Sequence, residues 1–332
     1  MSRGQGEPPS RTIPVIRSTF AVPALAREVA RAYGLKDVRL QLIKGTFRDT
    51  YRLDSATGPG ILSVYRHGIR TEAEIRAELD LLAYLDAHGV PVAPALPQRD
   101  GDLLLSLAAP EGVRFVAMFR YVEGHQLSKT PDSSTVLAYG RAVAQIHIAT
   151  DALPHPLARP RITTRDLLVH SIDALEVLPV ASPDHVVELR QAARILQPML
   201  DRLPTSAPAY GLVHGDIIPS NAQVRQDGTV SVLDFDSCGY GWRALDIATY
   251  LWEVAYWETP ASAREAFMAG YASVRPLSLD EEASLPALEA TRAIASLGTP
   301  AREVNIWGSA YLSDAMIERT LAIVRERLAQ LG

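Results

Sequence analysis

Apolar positions recur at helical spacing over VPALAREVARAYG, residues 22–34, and Gly34 closes that run. The period then shortens to that of strands. VRLQLI (38–43) and TYRLD (50–54) flank a loop of Gly45, Thr46, Phe47, Arg48 and Asp49. ILSVYR (61–66) follows a Gly-Pro-Gly turn at 58–60. A capping-box pair, Thr71 and Glu74, opens a helix whose apolar face is Ile75, Leu79, Leu82 and Leu85, ended by Gly89. Two more strand-like runs follow, DLLLSLA (102–108) and RFVAMFRYV (114–122). From Ser134 the pattern turns helical, through VLAYGRAVAQIHIAT, 164–178 and 184–203. A short strand-like island at 210–235 interrupts it, and helices resume after Ala244 to Leu331.

This order predicts an α+β chain of two lobes. Residues 1–20 read as a disordered N-terminal arm, 21–123 as a small sheet-rich lobe, and 124–332 as a larger helical lobe. The boundary falls near residues 122–128, around YVEGHQL (121–127), and a cleft between such lobes is a natural ligand site. Composition changes little in this picture. A net charge of −5 without a basic block argues against nucleic acid or an anionic membrane as partner. The single cysteine, Cys238, excludes an internal disulfide and a Cys-based zinc site. No run approaches the roughly 20 apolar residues of a membrane span, and the first residues show no apolar signal core, so a cytoplasmic location is expected. Oligomeric state is not legible.

The chemistry is concentrated in HGDIIPSN, residues 214–221. Phosphoryl transfer needs a group to orient or deprotonate the attacking hydroxyl, oxygen ligands for magnesium, and positive charge around the phosphates. Asp216 suits the first task. Asn221 offers a neutral oxygen and Asp234 a charged one, as magnesium prefers. Between those two lies AQVRQDGTVSVL, where Asp227-Gly228 signals a hairpin turn. The hairpin would bring Asn221 and Asp234 together. His214 and Gly215 suit a tight turn before Asp216, with His214 bonding nearby backbone. Singly, each of these is an ordinary turn or strand-end residue; the hairpin joins them into one site.

HGDIIPSN followed by VLDFD resembles the catalytic core of the aminoglycoside phosphotransferase and choline kinase superfamily, and LDFDSCGYGWRALDIATYLW (233–252) extends the resemblance. It implies a protein-kinase-like fold, ATP and Mg2+ as cofactors, and a hydroxyl-bearing small molecule as acceptor. By position, Asp216 resembles the catalytic base, Asn221 and Asp234 the magnesium ligands, and Asp236 a second acidic position. Asp246 resembles a buried aspartate that braces the catalytic loop, although it also reads as an N-cap of the next helix. KGTFRDTY (44–51), with Gly45, stands where the family has its nucleotide-covering hairpin. FRYVEGHQL (119–127) resembles the hinge, which puts adenine against the backbone of Arg120, Tyr121 and Val122. His147, in the helix YGRAVAQIHIATD, reads as structural.

One position departs from the pattern. The family places a lysine or arginine on its third strand to hold phosphates and pair with a glutamate of the next helix. Here that position is Ser63, while the glutamate, Glu78, is present. Arg66 lies three residues on and so faces the other way on a regular strand. Lys44 and Arg48, flanking the loop, are better placed to supply the charge.

The acceptor is less legible. TYLWEVAYWETP (249–260) offers Trp252, Tyr256, Trp257 and Glu258, and Trp307 lies in a later segment. Aromatic faces attract cations, which suggests a hydroxylated, amine-bearing acceptor such as an aminoglycoside or other antibiotic, choline, ethanolamine, homoserine or a sugar. The same aromatics also read as helix packing. A protein-directed Ser/Thr kinase and a nucleotide-binding pseudokinase stay open as alternatives.

Overall fold

The computed structural model describes residues 13, 15–45, 47–128 and 131–332. The first part of the chain forms α1 (Val22–Tyr33), β1 (Arg39–Gly45), β2 (Arg48–Ser55), β3 (Gly58–Tyr65), α2 (Glu72–Ala87), β4 (Ala95–Leu96), β5 (Leu105–Ala109) and β6 (Gly112–Arg120). The six strands make one antiparallel sheet in the order β1-β2-β3-β6-β4, with β5 also on β6. Side chains alternate across it. Tyr51, Leu53, Leu62, Val64, Val116 and Met118 form one face, which α1 covers with Leu25, Val29 and Tyr33. The other face carries Ser63 and Tyr65 and meets α2. The Thr71–Glu74 capping box is formed in both directions, and Ile75, Leu79, Leu82 and Leu85 are buried as their spacing requires.

Of the segment 1–20 expected as an arm, the structure describes residues 13 and 15–20. Residues 1–12 and 14 lie outside the described residues. Arg17 is ordered by an ion pair with buried Asp49 at 2.7 Å and by donating to the Gly45 carbonyl at 2.9 Å. Asp49 also pairs with fully buried Arg114, whose guanidinium lies over Phe20. The backbone entering α1 is thereby tied to the root of the β1–β2 loop.

Helices dominate after β7 (His125–Gln126): α3 (Ser133–Asp151), α4 (His170–Glu176), α5 (Pro183–Leu200), α6 (Arg243–Tyr256), α7 (Ala261–Ala272), α8 (Leu279–Arg302), α9 (Val304–Trp307) and α10 (Asp314–Ala329). Within them sit β8 (Tyr210–Val213), β9 (Ala222–Val224), β10 (Val230–Val232) and β11 (Gly239–Trp242). The β9–β10 hairpin turns at Asp227-Gly228 and pairs in register Val224↔Val230, Ala222↔Val232; β7 adds to its other edge. β11 pairs antiparallel with β8. The main core runs from Tyr65 and α2 through α3, α6 and α8 to α10, so the sheet is seated on the helical part through α2. The expected α+β order, sheet-rich then helical, is the one observed. No helix of the described residues is long and apolar enough to cross a membrane.

Candidate active site

β8 ends at Val213 and delivers His214, Gly215 and Asp216 into the cleft. Gly215 has φ of 81°, and a Cβ there would stand 2.5 Å from the Ser237 carbonyl, so no other residue fits this turn unstrained. Asp246 holds the turn from behind. Its Oδ2 accepts from the His214 amide at 2.7 Å and its Oδ1 from the Gly215 amide at 2.8 Å. Asp246 lies in the first turn of α6, whose N-cap is Trp242, so the N-cap reading of Asp246 is corrected. His147 of α3 completes the brace, bonding Asp246 at 3.0 Å and the Tyr271 hydroxyl at 2.7 Å. Burial lowers its pKa to about 4, against the opposing pull of the Asp246 hydrogen bond. A neutral, fully enclosed imidazole serves structure. His214 spans two loops: Nδ1 accepts from the Asp216 amide at 3.2 Å and Nε2 donates to the Leu233 carbonyl at 3.0 Å.

The hairpin brings the oxygen ligands together. The Leu233 amide donates to the Asn221 carbonyl at 2.8 Å, which sets Asp234 beside Asn221. Asn221 Nδ2 donates to both the backbone oxygen and Oδ2 of Asp216, at 3.0 and 2.9 Å, turning its own amide oxygen to the other side. Asp234 adopts left-handed φ of 68°, rare for a residue with a side chain. Burial pushes its carboxyl pKa up, but Arg48 and Lys44 outweigh this and hold it below the ordinary value. Asp216, Asp234 and Asp236 line one narrow cleft of about 60 Å³ with Lys44, Phe47 and Arg48. Asp236 is drawn toward Arg70, at 3.4 Å. A larger cavity, about 270 Å³, lies beneath Pro219 and Ser220, away from the Asp216 carboxylate.

The cation expected on β3 is absent there. Ser63 is buried between Thr50 of β2 and Ala117 of β6. On β2, Arg48 pairs opposite Tyr65, so its side chain shares a face with Ser63. Arg48 reaches Glu78 at 3.2 Å and Asp234 at 2.7 Å, and Lys44 stands 3.5 Å from Asp234. Desolvation acts against the Arg48 charge, but Asp234 and Glu78 override it and hold its pKa well above the usual value. The Tyr65 hydroxyl donates to Glu78 at 3.3 Å. Arg66 is committed elsewhere, to Glu303 at 2.9 Å.

A model of the phosphotransferase enzyme family matches residues 39–285. The chain belongs to that family. The phosphotransferase is 34% identical over 96% of its length to an uncharacterised protein of Deinococcus radiodurans, covering 93% of that relative. It is 31% identical to a homoserine kinase of Rhizobium etli, over 74% of each chain. Among solved structures, a microcompartment-associated aminopropanol kinase superposes with TM-score 0.82 at 24% identity, over 93% of this chain and 98% of that one. An amicoumacin kinase, solved with AMP-PNP and Ca2+, gives 0.77 at 20% identity over 94% of both. The fold is therefore the bilobal protein-kinase-like one, and the chain is an enzyme that transfers a phosphoryl group to an alcohol of a small molecule.

Other expected positions fall differently in the phosphotransferase. The Arg120 amide is already used by the Pro94 carbonyl at 3.0 Å, and its guanidinium by Asp86. Tyr121 and Val122 follow directly on the end of β6. Trp252, Tyr256 and Trp257 form a chain of neighbouring rings, but Trp307 packs at 5.1 Å on Phe47 of the β1–β2 loop, so no single cage collects the four. Tyr256 is covered by Arg319, and exposed Glu258 points to that same arginine. Trp252 is buried beneath the guanidinium of Arg292, 5.1 Å away. Arg292, of α8, donates to Asp216 Oδ1 at 2.9 Å. Nothing in the local sequence singled it out, because the contact joins residues 76 apart.

Proposed function

We propose that this enzyme moves the γ-phosphoryl group of Mg-ATP to a hydroxyl of a small, amine-bearing molecule. The observation that carries the reading is the convergence of Asp216 and Asp234 with Lys44 and Arg48 in one cleft, backed by the Asp246 brace. Asp216 orients the acceptor hydroxyl and takes its proton. The acceptor oxygen bonds to the γ-phosphorus as the bond to the β–γ bridging oxygen breaks, and ADP leaves with that electron pair. Arg48, anchored by Glu78, and Lys44 offer positive charge to the phosphates. The Tyr121–Val122 backbone receives adenine.

The donor set suits magnesium. Among the described residues no three His, Cys, Asp or Glu side chains gather to hold a metal unaided. A hard ion that keeps waters and takes phosphate oxygens needs only one or two carboxylates from the protein. Asp234 and the Asn221 amide oxygen would hold it, with Asp236 on the same wall. Magnesium bound there neutralises charge on the phosphate oxygens. Relatives named for small acceptors support this reading over a protein-directed kinase.

The test is Mg-ATP turnover against a panel of hydroxylated amines, run for wild type and Asp216→Asn. Loss of a general base costs about 10²- to 10⁴-fold, so the variant should fall by that factor while still binding nucleotide. Undiminished transfer by Asp216→Asn would remove Asp216 from the mechanism.

A further inference from the structure

Each oxygen of the Asp216 carboxylate accepts one side-chain hydrogen bond, Oδ2 from Asn221 Nδ2 and Oδ1 from Arg292 Nη2. The side chain is 30% exposed and lines the cleft, so a hydroxyl that reaches its remaining lone pairs arrives beside Arg292. Asn221 is the fixed partner, since its amide also bonds the Asp216 backbone and it is itself buried. Arg292 is the movable one. The bond to Asp216 is its only hydrogen bond among the described residues, and its Nε is buried with no partner, an unmet demand for an acceptor oxygen. Trp252 lies beneath it, its ring 5.1 Å from the guanidinium carbon, a face along which the group can shift without losing that contact.

The surrounding helix shows which side this faces. From Thr291 to the C-cap Glu303 the chain is buried except for Arg292, Ser296, Thr299, Arg302 and Glu303, and 292, 296, 299 and 303 recur at helical spacing. Arg292 at one end of that stripe touches Asp216, and Glu303 at the other touches Arg66 of the sheet-rich part. The stripe is a polar wall leading to the base.

A cationic group set against this wall would meet Arg292 head-on. An anionic group would draw the guanidinium off Asp216, satisfy Nε, and free Oδ1 for the hydroxyl in the same movement. A planar carboxylate matches the fork of the guanidinium. We propose that the acceptor carries a carboxylate within a few bonds of the hydroxyl to be phosphorylated, and that Arg292 selects for it. This deepens the phosphotransferase reading and rests on it: the amine expected of the acceptor is kept, and an amino acid bearing a hydroxyl meets both demands.

The experiment uses matched pairs that differ only in the carboxylate: L-homoserine against propanolamine, L-threonine against isopropanolamine, L-serine against ethanolamine. Steady-state kcat and KM with Mg-ATP, and calorimetric binding beside a non-hydrolysable ATP analogue, are measured for wild type, Arg292→Met and Arg292→Lys. Wild type should favour the carboxylated member of at least one pair by roughly 10- to 100-fold in kcat/KM, the scale of a charge-assisted hydrogen bond. Arg292→Met should erase that preference, chiefly through KM, and Arg292→Lys should retain part of it. If Arg292→Met lowers both members of a pair equally, Arg292 only positions Asp216 and the selection is overturned. A wild-type preference for the carboxylate-free member overturns it as well. Carboxylate-selective binding without turnover would spare this inference and sink the phosphotransfer reading; turnover without preference would do the reverse. An absence of both binding and turnover with all six probes would count against the amino-acid acceptor itself.

Discussion

Arg48 lies diagonally across the β2–β3 ladder from Ser63, about 7–8 Å away in such pairs, well within the reach of an arginine side chain. Its guanidinium therefore arrives where a lysine at 63 would put its ammonium, beside Glu78. A lysine at Ser63 and an arginine at 48 would compete for one carboxylate, which gives a reason for the small residue. Arg48→Ala should weaken kcat/KM for Mg-ATP by roughly 10- to 100-fold. Ser63→Lys placed in that background should recover part of the loss; a double variant no better than Arg48→Ala would mean that position 63 cannot reach the phosphates. At this scale, Asp216, Asn221 and Asp234 were legible because one hairpin of known turn chemistry carries them. Arg48 was legible as a candidate because it flanks the loop. Arg292 was not: within ALEATRAIASL an arginine reads as a solvated helix position, and only the packing of α8 beside the catalytic loop sets it against the base. The aromatic run at 249–260 is split in the same way: Trp257 lines the larger cavity, while Trp252 packs under Arg292 and Tyr256 under Arg319. Sequence shows that rings are near the motif, not which face of α6 they leave open.

Helices α3 and α6 hold the catalytic turn through His147 and Asp246, and this element-scale brace has a pH signature. Burial lowers the folded pKa of His147 to about 4, from an unfolded value of about 6.5. Above that unfolded value neither state binds the proton, and the contribution is complete. As pH falls toward 4 the unfolded chain takes up a proton that the folded protein refuses, so stability drops by at most about 1.4 kcal/mol per pH unit. Asp246, whose pKa is lowered by His147 and the loop amides in spite of its burial, adds its loss only below the ordinary carboxylate range. Thermal unfolding from about pH 7 to pH 5 should therefore show a falling Tm for wild type and a shallower fall for His147→Gln. Equal slopes would show that His147 is not the titrating group. Strong local signals made most elements readable: the Thr71 capping box, the Gly34 C-cap and the Asp227-Gly228 turn each appear as expected. The short β7 and β11 were not readable. GYGW has little strand character of its own and becomes a strand because β8 offers it an edge.

Across the whole molecule, the sheet and the helical part meet over the cleft through contacts of different kinds. Arg48 and Lys44 reach Asp234, Arg70 reaches Asp236, Arg66 reaches Glu303, and Phe47 packs edge-on against Trp307. The space they leave beside Asp216, Asp234 and Asp236 is narrow, about 60 Å³, and the expectation is that the two parts separate as a nucleotide enters or leaves. Which contact sets the rate follows from magnitude. The pairs at Asp234 and Asp236 involve groups that the phosphates and their counter-ion can re-satisfy, so their loss is offset during entry. The Arg66–Glu303 pair is a poor probe, because removing either partner strands a largely buried charge at a cost of about 3–5 kcal/mol and confounds the reading. The Phe47–Trp307 contact is the clean probe, because an aromatic pair contributes about 0.5–1.5 kcal/mol and leaves no charge behind. Trp307→Ala should speed release of a fluorescent ATP analogue by roughly 2- to 10-fold in stopped flow. Association should rise by a similar factor, because opening precedes both steps, so affinity should change little. Release at the wild-type rate would show that the cleft opens without parting Phe47 from Trp307. A rise in release alone would make Trp307 part of the nucleotide-bound state rather than of the latch.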